Sequence, residues 1–441
     1  MRPRHPRTTL TSLSLAAALA LGALAGCTAS GPSTGAASSG PAPTSSAGAN
    51  PSASGGASAS PSGDASSSSA PGSSPSATAT PAPATDFRPT VPAGATTTWP
   101  DNSMVPHLFF HSLVVDPKTA FGLSNKGKAA GYLDYMVTVD EFNKVLQQVY
   151  DNGYVLVSPH QLGKVDAKGV MHPTPLKVPK GKKPLVFSID DVSYYEYMEG
   201  EGFPTKLVVA PDGSVQNEYV APGTTEKKIG AYDVMPLVDA FVKEHPDFAP
   251  FGHKGVIALT GYNGVLGYRS SPSMYGPGGD ADHKNPNLQA DIAEATKVAN
   301  ALKASGWEFA SHSWGHINFT KSSLGRIKAD TARWKKDVEP ITGPTDLLIY
   351  PFGADISGLP KYAGPKYDFL KGAGYNFYFN VDGSTPQWGQ WGKGYLREAR
   401  INVDGISLKA ALEGRKVLSH FFDPKSVLDP LRPRSISGTT S

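Results

Sequence analysis

From about residue 87 onward, short apolar runs alternate with longer amphipathic stretches. Seven of the short runs have strand character: Leu108–His111, Tyr154–Val157, Leu185–Ile189, Val256–Leu259, Glu308–Ala310, Leu347–Tyr350 and Phe377–Phe379. Between several of them the apolar positions recur at helical spacing. The clearest helix opens at Thr138, with Glu141 three residues on in capping-box position. It continues through Phe142, Val145, Leu146, Val149 and Tyr150 and stops at Gly153. A second predicted helix starts near Asn287, puts Leu288, Ile292, Ala295, Ala299 and Leu302 on one face and stops at Gly306. A third, less regular, covers Tyr232 to His245. Strands alternating with helices mean a parallel sheet with crossovers. Seven of them point to an α/β fold closed, or nearly closed, into a barrel. One stretch breaks the alternation. Lys206–Ala210, the turn Pro211-Asp212-Gly213 and Ser214–Val220 read as a β-hairpin inserted near 206–220, at the mouth of the site.

Polar groups follow the predicted strands rather than precede them: His111, Asp190 with Asp191, His312 with His316, Pro351-Phe352-Gly353 and Asp382. Parallel barrels build their sites at that end. Two imidazoles and one carboxylate are the ligand set of an open catalytic metal site. Ser188-Ile189-Asp190-Asp191 and Ser311-His312-Ser313-Trp314-Gly315-His316 supply them, with a second carboxylate left over as a general base. The pattern points to hydrolysis by a metal-activated water. His107, His160, His172, His245, His253 and His283 read as ordinary core or surface residues.

The N-terminus changes the expected address. Arg2, Arg4 and Arg7 precede an apolar segment from Leu10 to Leu24, too short to be read as a spanning helix. Leu24-Ala25-Gly26-Cys27 resembles a bacterial lipobox, which implies a lipoprotein signal peptide over 1–26 and lipidation of Cys27. Cys27 is also the single cysteine, so the folded part has no disulfide and relies on its own core. Residues 28–86 are almost all Ser, Ala, Gly, Pro and Thr, and with Cys27 form a disordered tether over 27–86. A flexible chain of that length spans roughly 40–46 Å. The expected location is extracytoplasmic, anchored to the membrane by lipid. The catalytic domain is assigned to 87–433 and a flexible tail to 434–441. The formal charge is +3, and three arginines leave with the signal peptide, so the mature chain is neutral. That gives no support for nucleic-acid binding. Nothing specifies an oligomer, and a monomer is assumed.

Ser188-Ile189-Asp190-Asp191 resembles the Thr-Phe-Asp-Asp motif of the polysaccharide deacetylase (NodB-homology) family. His312-Ser313-Trp314-Gly315-His316 is similar to its His-Ser/Thr-x-x-His motif, and Tyr350-Pro351-Phe352-Gly353 resembles its Pro-Tyr-Gly loop. The resemblance covers most of 100–410 and implies a distorted (β/α)7 barrel. It implies that Asp191, His312 and His316 bind one divalent metal ion, usually zinc. It implies that Asp190 is the base, that Pro351 and its neighbours line the acetyl pocket, and that the Phe352 backbone N–H helps hold the oxyanion. For the acid two histidines compete. His420, in Leu418-Ser419-His420, has the form of the family's C-terminal motif. His111 ends a good strand, as in the permuted branch where that strand comes first, and is favoured. Ile349 stands where many members have an arginine that orients the base; Arg397 or Arg400 could supply the guanidinium instead.

Tyr350, Tyr194 and Trp388 are further candidates for lining the substrate site, although packing explains the Tyr194, Tyr195 and Tyr197 cluster equally well. Trp388 and Trp391 either stack on sugar rings or anchor a loop. The function implied is removal of N-acetyl groups from an acetylated amino-sugar polysaccharide of the cell envelope. An O-acetyl esterase and a catalytically decayed carbohydrate-binding lipoprotein are the alternatives.

Overall fold

The computed structural model describes residues 91, 94–280 and 282–437. The predicted signal peptide, Cys27, the tether over 27–86 and the last four residues of the predicted tail lie outside them. Among the described residues, no helix is long and apolar enough to cross a membrane.

Seven parallel strands close into a ring in chain order. They are β1 (His107–Phe110), β2 (Lys183–Asp190), β3 (Gly255–Leu259), β4 (Trp307–Ser311), β5 (Leu347–Ile349), β6 (Phe377–Val381) and β7 (Leu396–Asn402). β7 pairs back onto β1, Ile401 opposite Leu108, so the ring has no open edge. This is the (β/α)7 barrel expected from the pattern. Two of its details differ from the sequence reading. Tyr154–Leu156 is a strand, but it pairs with Lys183–Leu185 at the start of β2 and is not part of the ring. The seventh strand is Leu396–Asn402, whose Arg397, Glu398 and Arg400 hide it from an apolar pattern. All three are buried: Arg397 pairs with Asp355, Arg400 with Asp190, and Glu398 faces His107.

The period of two along each strand divides the core. On β2, Leu185, Phe187 and Ile189 face outward against the helices, while Val186, Ser188 and Asp190 face into the barrel. Val186, Val256, Ala310, Leu347, Phe377 and Leu396 pack the apolar lower interior. Outside, Phe142, Val145, Leu146 and Val149 of the helix Val139–Asp151 cover Phe110 and Phe187. Each such buried side chain contributes roughly 1.5–3 kcal/mol. The predicted capping box is present: Glu141 N–H donates to Thr138 Oγ1 at 3.2 Å and Thr138 N–H to Glu141 Oε2 at 2.9 Å. Glu141 also takes a fork from Arg432, at 2.6 and 2.7 Å, which ties the C-terminal segment to this helix. The other two predicted helices are Val234–Glu244 and Leu288–Ala304. The hairpin is present as Lys206–Val209 paired with Val215–Val220, with a third strand, Lys227–Gly230, alongside.

Candidate active site

The C-terminal ends of β1, β2, β4, β5 and β7 converge on one group of side chains. Asp191 follows β2, and His312 and His316 follow β4. One ligand atom from each lies within 4.8 Å of the other two. The backbone is forced at this place. Asp191 (φ 61°), Ser313 (φ 66°), His316 (φ 49°) and Phe352 (φ 60°) all adopt the left-handed region without being glycine. Non-glycine residues rarely do so, and such strain persists where the surroundings over-determine it.

Those surroundings can be named. The helix Leu324–Asp337 holds the turn after β4. Asp330 accepts from Trp314 N–H at 2.9 Å and Gly315 N–H at 2.8 Å, and Asp337 accepts from the Trp314 indole at 2.9 Å. Gly261 makes room for that indole: a Cβ there would stand 2.4 Å from Trp314 Cδ1. His312 donates from Nδ1 to the Ile349 carbonyl at 2.9 Å, which leaves Nε2 free on the site side. Asp191 receives a 2.6 Å hydrogen bond from the Tyr195 hydroxyl on Oδ1, while its Oδ2 lies 3.6 Å from His316 Nε2. Tyr195 is itself clamped between the rings of Tyr197 and Tyr262, stacked at 5.3 Å on either side.

Charge states fit a divalent cation. Burial pushes the His312 imidazole down to about 4 despite the neighbouring Asp190 and Asp191, so it is a neutral donor at neutral pH. Burial raises Asp191, but His316, His312 and His111 outweigh it and hold it below the ordinary carboxylate range. Two imidazole nitrogens and a carboxylate oxygen, with His312 and Asp191 oriented by outer hydrogen bonds, suit zinc or a similar first-row ion.

Asp190 belongs to a different construction. Arg400 reaches across from β7 and forks it, Nη1 to Oδ1 at 2.7 Å and Nη2 to Oδ2 at 2.8 Å. Burial raises Asp190, yet Arg400, then His312 and His111, hold it well below its usual range. The guanidinium lies over the Phe109 ring at 4.0 Å and also donates to Ser188 Oγ at 3.1 Å. Ser188 meets His107 Nε2 at 2.8 Å, and His107 Nδ1 faces Glu398 Oε2 at 3.2 Å. This buried row, Asp190–Arg400–Ser188–His107–Glu398, runs down the inside of the barrel. Burial lifts Glu398 to about 8 and, with Arg400, pushes His107 down. His107, an ordinary core residue by sequence, is one link of this row.

The remaining candidates divide clearly. His111 ends β1 on the site side, near enough for its charge to act on Asp190, Asp191 and Asp404. Phe352 is 55% exposed and packs edge-on against His316 at 4.3 Å. Arg397 is not beside Asp190: it faces outward, pairs with Asp355 at 3.0 Å and lies between the rings of Tyr362 and Trp388. His420 is at the wrong end. Its carbonyl accepts from Tyr154, whose strand pairs with the start of β2, whereas Asp190 ends β2. Seven residue steps separate those ends, roughly 23 Å at 3.3 Å per residue. Tyr194 and Tyr350 are buried and cannot line a substrate site; Tyr194 hydrogen-bonds Asn217 instead. Pro351 is buried in the turn after β5. Trp388 lines a cavity beside the site.

Residues 284–364, which include His312, His316 and the turn after β5, match the family model for polysaccharide deacetylase. Two solved structures resemble this chain. The deacetylase PplD of Streptococcus pyogenes, in complex with acetate, has a TM-score of 0.38 and 13% identity, covering 74% of this chain and 100% of that one. A polysaccharide deacetylase from Bacillus cereus has a TM-score of 0.36 and 14% identity, covering 70% of this chain and 69% of that one. Comparison with curated proteins gives no match.

Proposed function

We propose that this chain, a member of the polysaccharide deacetylase family, is a metal-dependent hydrolase that removes N-acetyl groups from an amino-sugar polysaccharide of the cell envelope. The observation that carries the reading is the pairing of Asp191, His312 and His316 within 4.8 Å with an adjacent carboxylate forked by Arg400. Asp191, His312 and His316 would hold one divalent ion, most simply zinc. Such an ion supplies a Lewis acid that activates water and polarises an acyl oxygen.

The protein's own groups do the rest. Asp190, kept ionised by Arg400, takes the proton of the attacking water. Arg400, not Arg397, fixes the direction of its oxygens. The Phe352 N–H, on the turn after β5, donates to the oxygen that gains charge. His111 gives a proton to the departing nitrogen. An amine is a poor leaving group without that proton, so an amide needs this acid more than an activated ester does. A complete site of this kind argues against a decayed binding protein. By the basic and apolar pattern of residues 1–27, we infer that the enzyme is a lipoprotein held outside the membrane through Cys27.

The test is acetate release from a panel of N- and O-acetylated glycans by protein from residue 87 onward. Wild type should release acetate from an N-acetylglucosamine oligomer. His111→Ala should lower that activity much more than hydrolysis of an activated acetyl ester, with metal retained, while His420→Ala should change neither selectively. Release from O-acetylated glycans alone would make the enzyme an esterase. No release from any acetylated glycan by metal-loaded protein would end the hydrolase reading.

A further inference from the structure

Arg400 holds Asp190, and the groups that hold Arg400 have a direction. Glu398 and Arg400 stand two positions apart on β7 and share its inward face. Arg400 Nη1 divides its hydrogens between Asp190 Oδ1 at 2.7 Å and Ser188 Oγ at 3.1 Å. A guanidinium only donates, so Ser188 Oγ accepts from it. The Ser188 hydroxyl hydrogen is then left for His107 Nε2 at 2.8 Å, and that nitrogen must be bare to accept it. The ring proton of a neutral His107 therefore sits on Nδ1, which faces Glu398 Oε2 at 3.2 Å. The two lengths agree, since the shorter suits an O–H donor and the longer an N–H donor. Burial and the Arg400 charge push His107 down, so a second ring proton is not held at neutral pH. Glu398 accepts through Oε2 whether or not its Oε1 carries a proton.

Packing alone does not call for this row. Ser188, His107, Glu398 and Arg400 are all buried, and the interior nearby is filled by Val186, Phe377 and Leu396. Glu398 Oε1 has no hydrogen-bond partner among the described residues, which costs stability in a buried place. Apolar side chains of similar size would fill the same space without that cost. The effect of the row falls on geometry instead. The fork ties Asp190 to Arg400, but a forked pair can swing as a unit. The Phe109 ring, 4.0 Å away, limits the guanidinium on one face only, and the Asn380 carbonyl accepts from Nε at a long 3.4 Å. Ser188 is the contact that stops the guanidinium from sliding in its own plane.

We propose that Ser188, His107 and Glu398 are positioning residues for the base: Glu398 fixes one tautomer of His107, that tautomer turns the Ser188 lone pairs to Arg400, and Arg400 then holds the Asp190 oxygens in one direction. The proposal rests on the reading of Asp190 as the base. It gives the barrel interior a part in the reaction although none of the three residues touches the substrate.

Two measurements test it. The first needs no turnover. Heteronuclear NMR of the histidine ring nitrogens, with His107 assigned by its loss in His107→Gln, should show Nδ1 protonated and Nε2 bare. A proton on Nε2, alone or with one on Nδ1, would overturn the row. The second is kinetic, at saturating metal. Ser188→Ala, which deletes one oxygen, and Glu398→Leu should each lower kcat about 10–100-fold, the usual cost of a misplaced group. KM and bound metal should not change. The loss should be equal for an N-acetyl sugar and an activated acetyl ester, unlike that of His111→Ala. Glu398→Gln keeps an acceptor facing Nδ1 and should recover most of what Glu398→Leu loses. In an Asp190→Asn background Ser188→Ala should cost nothing further, because positioning acts only through that carboxylate. An equal Ser188→Ala loss with and without Asp190, or a loss carried by KM or by metal content, would make the row structural only and overturn the proposal. Normal turnover by Asp190→Asn counts instead against the base reading, and the tautomer measurement then judges the row by itself.

Discussion

The two halves of the candidate site are built in opposite ways. The ligand half, Asp191, His312 and His316, sits on two tight turns beyond the strands, in strained backbone held by Asp330, Asp337 and Tyr195. The base half, Asp190 with Arg400, Ser188, His107 and Glu398, sits on strands inside the barrel in regular extended backbone. Each turn shapes its own backbone by hydrogen bonds from nearby in sequence, and the two turns meet across β2, β3 and β4. The strands draw one or two residues each from β1, β2 and β7, and only closure of the ring brings them together. One half depends on two strained turns carried by three neighbouring strands, and the other on closure of the whole ring.

The largest effect should come from attacking the ligand half. His312→Ala or His316→Ala should abolish stoichiometric metal binding, because an open site has only three protein ligands. Activity should fall to background, and chelator should do the same to wild type, reversibly on adding zinc. Full metal content in the double variant, read by elemental analysis, would remove the ligand assignment.

Asp190→Asn should keep the metal and cost about 10²–10⁴ in kcat, the usual worth of a general base. Normal turnover in that variant would move the base elsewhere. The contrast between these two results, metal lost against metal kept, is what separates the halves.

Tyr195→Phe sharpens the comparison further. It removes one hydrogen bond from Asp191 and leaves the stacked rings in place. Loss of such an outer partner weakens metal affinity about 10–100-fold. A competitive metal titration should show that drop, with most activity recovered at saturating metal. Unchanged affinity would mean that the Tyr195 hydroxyl does not orient the ligand.

The smallest effect is a pH dependence of stability from the bottom of the base half. Glu398 stays protonated in the folded chain up to about 8. The unfolded chain ionises it near about 4.3. The folded state thus holds the extra proton, so this contribution, full below about 4.3, is lost as pH rises through about 8. His107, pushed down by burial and Arg400, works at the other end: its contribution is lost as pH falls below about 6.5, where the unfolded chain takes up a proton. Between about 6.5 and 8 Glu398 acts unopposed. Glu398→Gln should flatten the loss of stability over that window, seen as urea midpoints that gain on wild type as pH rises. A gap constant with pH would show that Glu398 is already ionised.

The same contrast explains what could be read in the sequence. The turn half was legible because Asp191 and His312 to His316 directly follow apolar runs and lie within a few positions of one another or of Asp190. The barrel was legible because six of its seven strands are apolar enough to stand out. β7 was not, since Arg397, Glu398 and Arg400 break the pattern and are buried only because their partners come from elsewhere. His107 looked ordinary for the same reason: its partners, Ser188 and Glu398, are 81 and 291 residues away. Tyr194 was an unsuccessful substrate-lining candidate and its neighbour Tyr195 proved to touch Asp191, because a positive φ at Tyr194 sends adjacent side chains in directions that no simple periodicity describes.

Closure of the ring by β7 against β1 also has a kinetic side. Asp190 waits for a guanidinium 210 residues later in the chain, and Glu141 for one 291 residues later. Contacts so distant in sequence form late and slowly, because loop closure must precede any stabilisation by the contact. Until β7 arrives, the six earlier strands present two unpaired edges and an uncompensated carboxylate, a state prone to aggregate. The strand least visible in the sequence is thus the one that closes the ring, and a truncation before Leu396 should leave neither a barrel nor a site.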